Sequence, residues 1–246
     1  MKASRSTGVK ESRRSEFEAI QQRSIYSFRE IANESHRLRP DASRRDHVPP
    51  PSTFGLQSFL VIMRKALFLD RDGVLDELVW HQATAEWGAP LTPGQLILRL
   101  GVREALVAAR QSGWLLFVVT NQPDAAKGKT SLESLREVHQ ELVGQLGHAP
   151  IEEFFYCFHQ SSDGCDCRKP SPRFVLEAAG RYGIDLAASW FVGDSDSDIE
   201  CGIRAGCRTA LIQYEHSSSR RGAQRADLIC DGLGDFVTTL IRRSGD

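Results

Sequence analysis

Methionine, long apolar runs and an excess of either charge are all scarce in this chain. Its longest apolar run of strand type, Trp114–Val119, has six residues, whereas a membrane-crossing helix needs roughly 18. No helical span is therefore expected. The formal net charge is -1, which argues against general attraction to nucleic acid or to an anionic membrane. Six cysteines in 246 residues do not suggest a disulfide scaffold, and a reducing, cytoplasmic setting is the simplest reading. The N-terminal region lacks the apolar stretch of a secretory signal. Besides Met1 there is one methionine, Met63, just before "RKALFLDRDGV", and translation is expected to begin naturally there.

What the chain does have is 41% hydrophobic and 26% charged residues, enough for one well-buried core. The beginning differs from the rest. Residues 1–50 carry 11 Lys/Arg against 7 Asp/Glu, a local excess of 11 − 7 = +4, and many serines. Residues 46–52, "DHVPPPS", read as an extended linker, because consecutive prolines favour polyproline II. Residues 1–60 are thus expected to be a mobile basic extension, and 61–246 the folded domain.

From Lys65 onward strands and helices alternate. Strands are expected at 65–70, 114–120, 151–157, 189–194, 209–213 and 226–230. Helices are expected at 102–112, 132–146, up to Tyr182 after a Ser171 N-cap and first-turn Pro172, at 199–205 before Gly206, and near 236–242. Near-continuous apolar strands separated by helices imply an α/β fold, a Rossmann-like parallel sheet covered on both faces. Ligands in such sheets bind beyond the carboxyl ends of the strands. Polar residues fall at those ends: Asp70 and Asp72, Thr120 and Asn121, Asp194 and Asp198. Acids often end strands or cap helices, which accounts for any one of these groups but poorly for all three. Carboxylates held together repel, and a divalent cation relieves the repulsion. Magnesium suits oxygen ligands of this kind and commonly keeps water and substrate phosphate as further ligands.

"DRDGV" after the first strand, "VVTN" ending the second, "RKP" before a helix and "VGDSDSD" ending a later strand resemble, in order, the four motifs of the haloacid-dehalogenase (HAD) phosphohydrolase superfamily. The resemblance implies residue roles. Asp70 would be the nucleophile that forms an aspartyl-phosphate. Asp72 would protonate the leaving oxygen and then activate water. Thr120 and Lys169 would hold the transferring phosphoryl oxygens. Mg²⁺ would be bound by Asp70, the backbone carbonyl of Asp72 and Asp194, with Asp198 in support.

"CFHQSSDGCDC" places Cys157, His159, Cys165 and Cys167 as a closed four-ligand set for a structural Zn²⁺. Cys201, Cys207 and Cys230 are expected to be buried, inert thiols. The cluster runs into "RKP", and the whole pattern is similar to the zinc-loop branch of the superfamily, which contains heptose bisphosphate and histidinol-phosphate phosphatases. The motif spacing leaves no room for a large cap domain. "NQPDAAKG" (residues 121–128) resembles a substrate-side turn of the heptose branch, which implies substrate contacts from Asn121 and Gln122. Arg168 matches the residue that recognises a distal phosphate, a task that suits a guanidinium fork.

The chain departs from that pattern at Pro123-Asp124, at Asp76, where the heptose enzymes have Asn, and through 75–93. The last segment carries Trp80, His81 and Trp87, which either wall off a sugar or pack on the sheet edge. The expectation is a Mg²⁺-dependent phosphomonoesterase acting on a small phosphorylated sugar, foremost heptose 1,7-bisphosphate. The chain is expected to be monomeric, without membrane or nucleic-acid partners. Alternatives are a histidinol-phosphate phosphatase, a polynucleotide 3′-phosphatase, and a non-catalytic zinc-loop interaction protein.

Overall fold

The structure is a computed structural model that describes residues 63–244; the basic extension and its Pro-rich linker lie outside the described residues. Strand β1 (Ala66–Leu69) leads into a hairpin, β2 (Val79–His81) and β3 (Glu86–Gly88), and then into helix α1 (Val102–Gln111). β4 (Leu115–Asn121), α2 (Leu132–Leu146), β5 (Glu153–Cys157), α3 (Arg173–Tyr182), β6 (Trp190–Gly193), α4 (Asp196–Ala205), β7 (Arg208–Ile212), β8 (Leu228–Cys230) and α5 (Leu233–Ser244) follow.

Six strands form one sheet in the order β5-β4-β1-β6-β7-β8, with every neighbouring pair parallel. Alternation along β1 explains the two-sided core, because successive side chains of a strand point to opposite faces. Leu67 and Leu69 join Leu116, Val118 and Val192 on one face, which α1, α2 and α5 cover. Ala66 and Phe68 join Phe117, Val119 and Phe191 on the other, under α3 and α4. Phe68 is in register with Phe117 on one side and Phe191 on the other, and the three rings stack at 5.4 and 6.5 Å.

Three local features differ from the sequence reading. Helix α4 begins at Asp196, three residues before the expected start, because Asp198 accepts the Ser195 backbone N–H at 3.1 Å and the Ser195 hydroxyl at 2.6 Å. Such a reciprocal cap starts a helix ahead of its apolar face. Helix α3 starts at Arg173, with Pro172 as its flanking residue, and Ser171 Oγ accepts the Arg173 N–H at 3.3 Å. The segment 75–93 contains the antiparallel β2–β3 ribbon, in which Trp80 faces Trp87 across the strands at 5.6 Å. Trp80 is about half exposed, while Trp87 stacks on His216 at 3.6 Å.

Candidate active site

The sheet order reverses direction at the junction of β1 and β6, since the chain builds outward from β1 to β5 and then crosses to β6. A crevice at the carboxyl ends of the strands forms at such a point. Asp70 leaves β1 there, its backbone N–H donating to Val192 O at 2.9 Å, and Asp194 leaves β6 beside it. Ligand oxygens of Asp70, Asp194 and Asp198 lie within 4.8 Å of one another. Lys169 enters between two of them, with its Nζ 2.5 Å from Asp70 Oδ1 and 2.7 Å from Asp198 Oδ1, and donates to Val119 O at 2.8 Å. Two glycines make the crowding possible. A Cβ on Gly73, whose φ is +87°, would lie 2.2 Å from Asp194 Oδ2, and one on Gly193 would lie 2.1 Å from Asp198 Cβ.

Three buried carboxylates around one ammonium leave an excess of negative charge. Burial above all, then the charge of Asp198, pushes the Asp70 carboxyl up to about 7, against the opposing pull of Lys169. Burial, Asp198 and Asp70 push Asp194 up to about 8. Burial alone would lower Lys169, but Asp198 and Asp70 outweigh it and hold the ammonium above its usual range. Both Asp194 oxygens are buried and accept no hydrogen bond of normal geometry. Buried polar atoms without partners are uncommon. An oxygen-lined, over-negative pocket with an orphaned carboxylate fits a hard divalent cation.

Asp72 is held differently. Its Oδ1 accepts Arg71 Nη2 at 2.6 Å and Nε at 3.1 Å, while its Oδ2 accepts Gln122 Nε2 at 2.5 Å and Thr120 Oγ1 at 3.5 Å. The Asp72 side chain is thus not part of the cation-sized carboxylate group, which consists of Asp70, Asp194 and Asp198. Gln122 is fully buried, and its amide is occupied by Asp72, Thr120 and Arg71. The structure thus places Gln122 against Asp72 and Thr120, and it is not among the residues that line the cleft. Asn121 lines the cleft, but its side chain clamps the backbone of Lys169 through both groups, at 3.0 and 3.2 Å.

The second centre is the loop before Lys169. Cys157, Cys165 and Cys167 are separated by 3.3 to 3.7 Å between sulfurs, and His159 Nδ1 lies 3.6 and 3.3 Å from Cys157 and Cys167. A tetrahedral zinc with bonds of about 2.3 Å has sulfur–sulfur edges near 3.8 Å, so the four atoms fit that ion. None of the cysteines is in a disulfide. The next residue, Arg168, donates to His159 O at 3.1 Å, which ties its guanidinium to this loop.

Comparison with known proteins agrees with this geometry. Residues 166–236 match the HAD-hydrolase-like family model. A D-glycero-beta-D-manno-heptose-1,7-bisphosphate 7-phosphatase of Pseudomonas aeruginosa is 37% identical over 186 residues, which span 73% of this chain and 99% of that protein. This chain belongs to the HAD phosphatase family. A namesake from Bordetella bronchiseptica is 30% identical over 73% of this chain and 99% of its own length. The crystal structure of D,D-heptose 1,7-bisphosphate phosphatase from B. bronchiseptica, complexed with magnesium and phosphate, superposes with a TM-score of 0.64 at 29% identity, covering 73% of this chain and 99% of that one.

As a HAD phosphatase the chain is an enzyme, which removes the non-catalytic alternative. Its cleft measures about 390 Å³ and is lined by Asp70, Asp72, Lys169 and Asp194 at the floor. Arg168 lies on one wall, Trp87 and Arg220 on another, with Lys127 and Lys129 at the loop after β4. Trp87 thus belongs to the cleft wall, whereas Trp80 and His81 do not line it. Sequence reasoning missed Arg71, Arg220 and Asp196. Arg220 Nη2 donates to Trp87 O at 2.7 Å. Asp196 accepts the backbone N–H groups of Gly222, Ala223 and Gln224, pinning the loop that follows Arg220. The visible signal for Arg71 was a cation placed between two acids at the end of a buried strand.

Proposed function

We propose that this HAD phosphatase removes the 7-phosphate of D-glycero-D-manno-heptose 1,7-bisphosphate, using Mg²⁺ and an aspartyl-phosphate on Asp70. The observation that carries the chemistry is the meeting of Asp70, Asp194, Asp198 and Lys169 within one buried, over-negative pocket. The substrate rests on the names of relatives at 30–37% identity, several of which specify the beta anomer. That anomer is the first to test.

In this reading an Asp70 oxygen attacks phosphorus, forming an O–P bond as the bond to the sugar oxygen breaks. Asp72 gives its proton to the departing oxygen and later takes one from the water that hydrolyses the intermediate. Thr120 and Lys169 hold the transferring oxygens, supplying donors where charge accumulates. Asp70, Asp194 and the Asp72 carbonyl, with Asp198 in support, would hold magnesium, which supplies positive charge against the phosphoryl oxygens. Cys157, His159, Cys165 and Cys167 would hold zinc, fixing the loop that presents Arg168 to the distal phosphate. Asn121 acts on this reading through the Lys169 backbone it clamps. Residues 61–246 form the catalytic domain, working as a cytoplasmic monomer. Among the described residues no helix is long and apolar enough to cross a membrane.

Phosphate release from the heptose bisphosphate, histidinol phosphate and a 3′-phosphorylated oligonucleotide, each with and without Mg²⁺, tests the assignment. The bisphosphate is expected to have the highest kcat/KM and to need the metal. Faster hydrolysis of either rival would replace the substrate assigned here.

A further inference from the structure

One cationic wall of the cleft has no task in the reaction described above. The turn Glu215–Arg220 follows β7 and ends in Arg220, a partly buried residue that lines the cleft together with Trp87. Its Nη2 donates to Trp87 O at 2.7 Å. Among the described residues Arg220 makes no salt bridge. A guanidinium carries five N–H donors, so most of this fork is uncommitted.

The fold holds this arginine in place from both sides. Before it, the buried Ser217 donates its hydroxyl to Tyr214 O at 2.9 Å, and Arg221 Nη2 donates to the same oxygen at 2.9 Å. After it, Asp196 accepts the N–H groups of Gly222, Ala223 and Gln224 at 3.2, 2.9 and 3.1 Å. His216, in the same turn, stacks on Trp87 at 3.6 Å. The turn is thus tied to α4 and to the β2–β3 ribbon at once. A cation fixed before its ligand arrives loses less freedom on binding.

Charge decides what such a cation suits. A phosphate monoester carries roughly −1.5 to −2 charges at neutral pH, whereas a guanidinium carries a single positive one. A bisphosphate sets one phosphate on the floor, against Asp70 and Lys169, and leaves the other to the walls. Arg168 alone compensates only part of that second charge. Lys129 is already paired with Asp124 and Glu86, and Lys127 is exposed. Arg220 is the further wall cation that is partly buried and has no acid partner among the described residues. We propose that Arg220 is a specificity-determining residue: with Arg168 it binds the phosphate that is not transferred, and so favours substrates with two phosphates over those with one. This rests on the proposed function, though on the bisphosphate class and not on one sugar.

Steady-state kinetics of Arg220→Gln with the heptose bisphosphate and with the 7-monophosphate of the same sugar test the proposal, since the two substrates differ only in the distal phosphate. Glutamine keeps an N–H for Trp87 O and removes the charge. With the bisphosphate, kcat/KM is expected to fall about tenfold, mainly through KM, as for loss of a charge-assisted hydrogen bond. With the monophosphate it is expected to change little, and Arg220→Lys is expected to recover part of the loss. Equal losses on both substrates are what a cation that only opposes the raised Asp194, or only braces the ribbon, would give. Such equal losses, or no loss on either, would overturn the role of Arg220. Should Arg220→Gln fail to fold, Arg220→Lys against wild type gives the same comparison: a smaller rise in KM confined to the bisphosphate supports the role, and an equal effect or none overturns it. A wild type that hydrolyses the bisphosphate no better than the monophosphate would instead count against the proposed function.

Discussion

Asp70 and Asp194 are acids folded into a place that disfavours their charge. Their folded-state values of about 7 and about 8 stand above the ordinary carboxylate value near 4. The unfolded chain therefore releases these protons first, and metal-free stability is highest at low pH on this account, declining as pH rises from about 4 toward 8. Asp194→Asn removes one such acid. Chemical denaturation of the metal-free variant at pH 8 is expected to show a gain on the order of 2 kcal/mol, with a flatter stability profile between pH 4 and 8. Millimolar Mg²⁺ should raise the melting temperature of the wild type but not of Asp194→Asn. Gly73→Ala tests the same crowding from the other side. A methyl group 2.2 Å from Asp194 Oδ2 should cut kcat by at least tenfold in steady-state assays. Asp70, Asp72 and Asp194 were legible in the sequence because they follow strand ends, where the fold class concentrates ligands. Arg71 was not, because its importance lies in burial and in its contacts with Asp72 and Gln122.

At the scale of elements, the strands were read correctly because both faces of the sheet are covered, so apolar runs mark them. The β2–β3 ribbon was missed: it is two three-residue strands with one wall on the cleft and one in solvent, too short for a periodic signal. The early start of α4 was written in Ser195 and Asp198, a capping pair whose signal was overshadowed by the acidic motif around it. Element-level behaviour also gives a test of the loop 157–169. Cys165→Ser removes one member of the four-ligand set while leaving Lys169 and Arg168 in place chemically. Metal analysis should find about one zinc per wild-type chain and clearly less in the variant. Kinetics of the variant should show a raised KM for a bisphosphate, because Arg168 is tied to His159 O, together with a lower melting temperature. An unchanged zinc content and KM would remove the structural-zinc reading.

For the whole molecule, the described part is an uninterrupted sheet with helices on both faces, and the insertion between Asp70 and Thr120 amounts to a hairpin, a short turn and α1. The cleft is consequently lined by side chains of the domain itself, among them Trp87, Arg220 and Arg168, the last directly after the cysteine loop. The cleft of about 390 Å³ carries Lys127, Arg168 and Arg220 above its acidic floor, while Lys129 there is paired with Asp124 and Glu86. The central claim is that phosphorus passes through Asp70. Rapid mixing with substrate and Mg²⁺, followed by borohydride quench and peptide mass spectrometry, tests it directly. The account predicts reduction of an acyl-phosphate to homoserine at position 70 alone, dependent on substrate. Efficient turnover with an unmodified Asp70, or with the label on another residue, would contradict it.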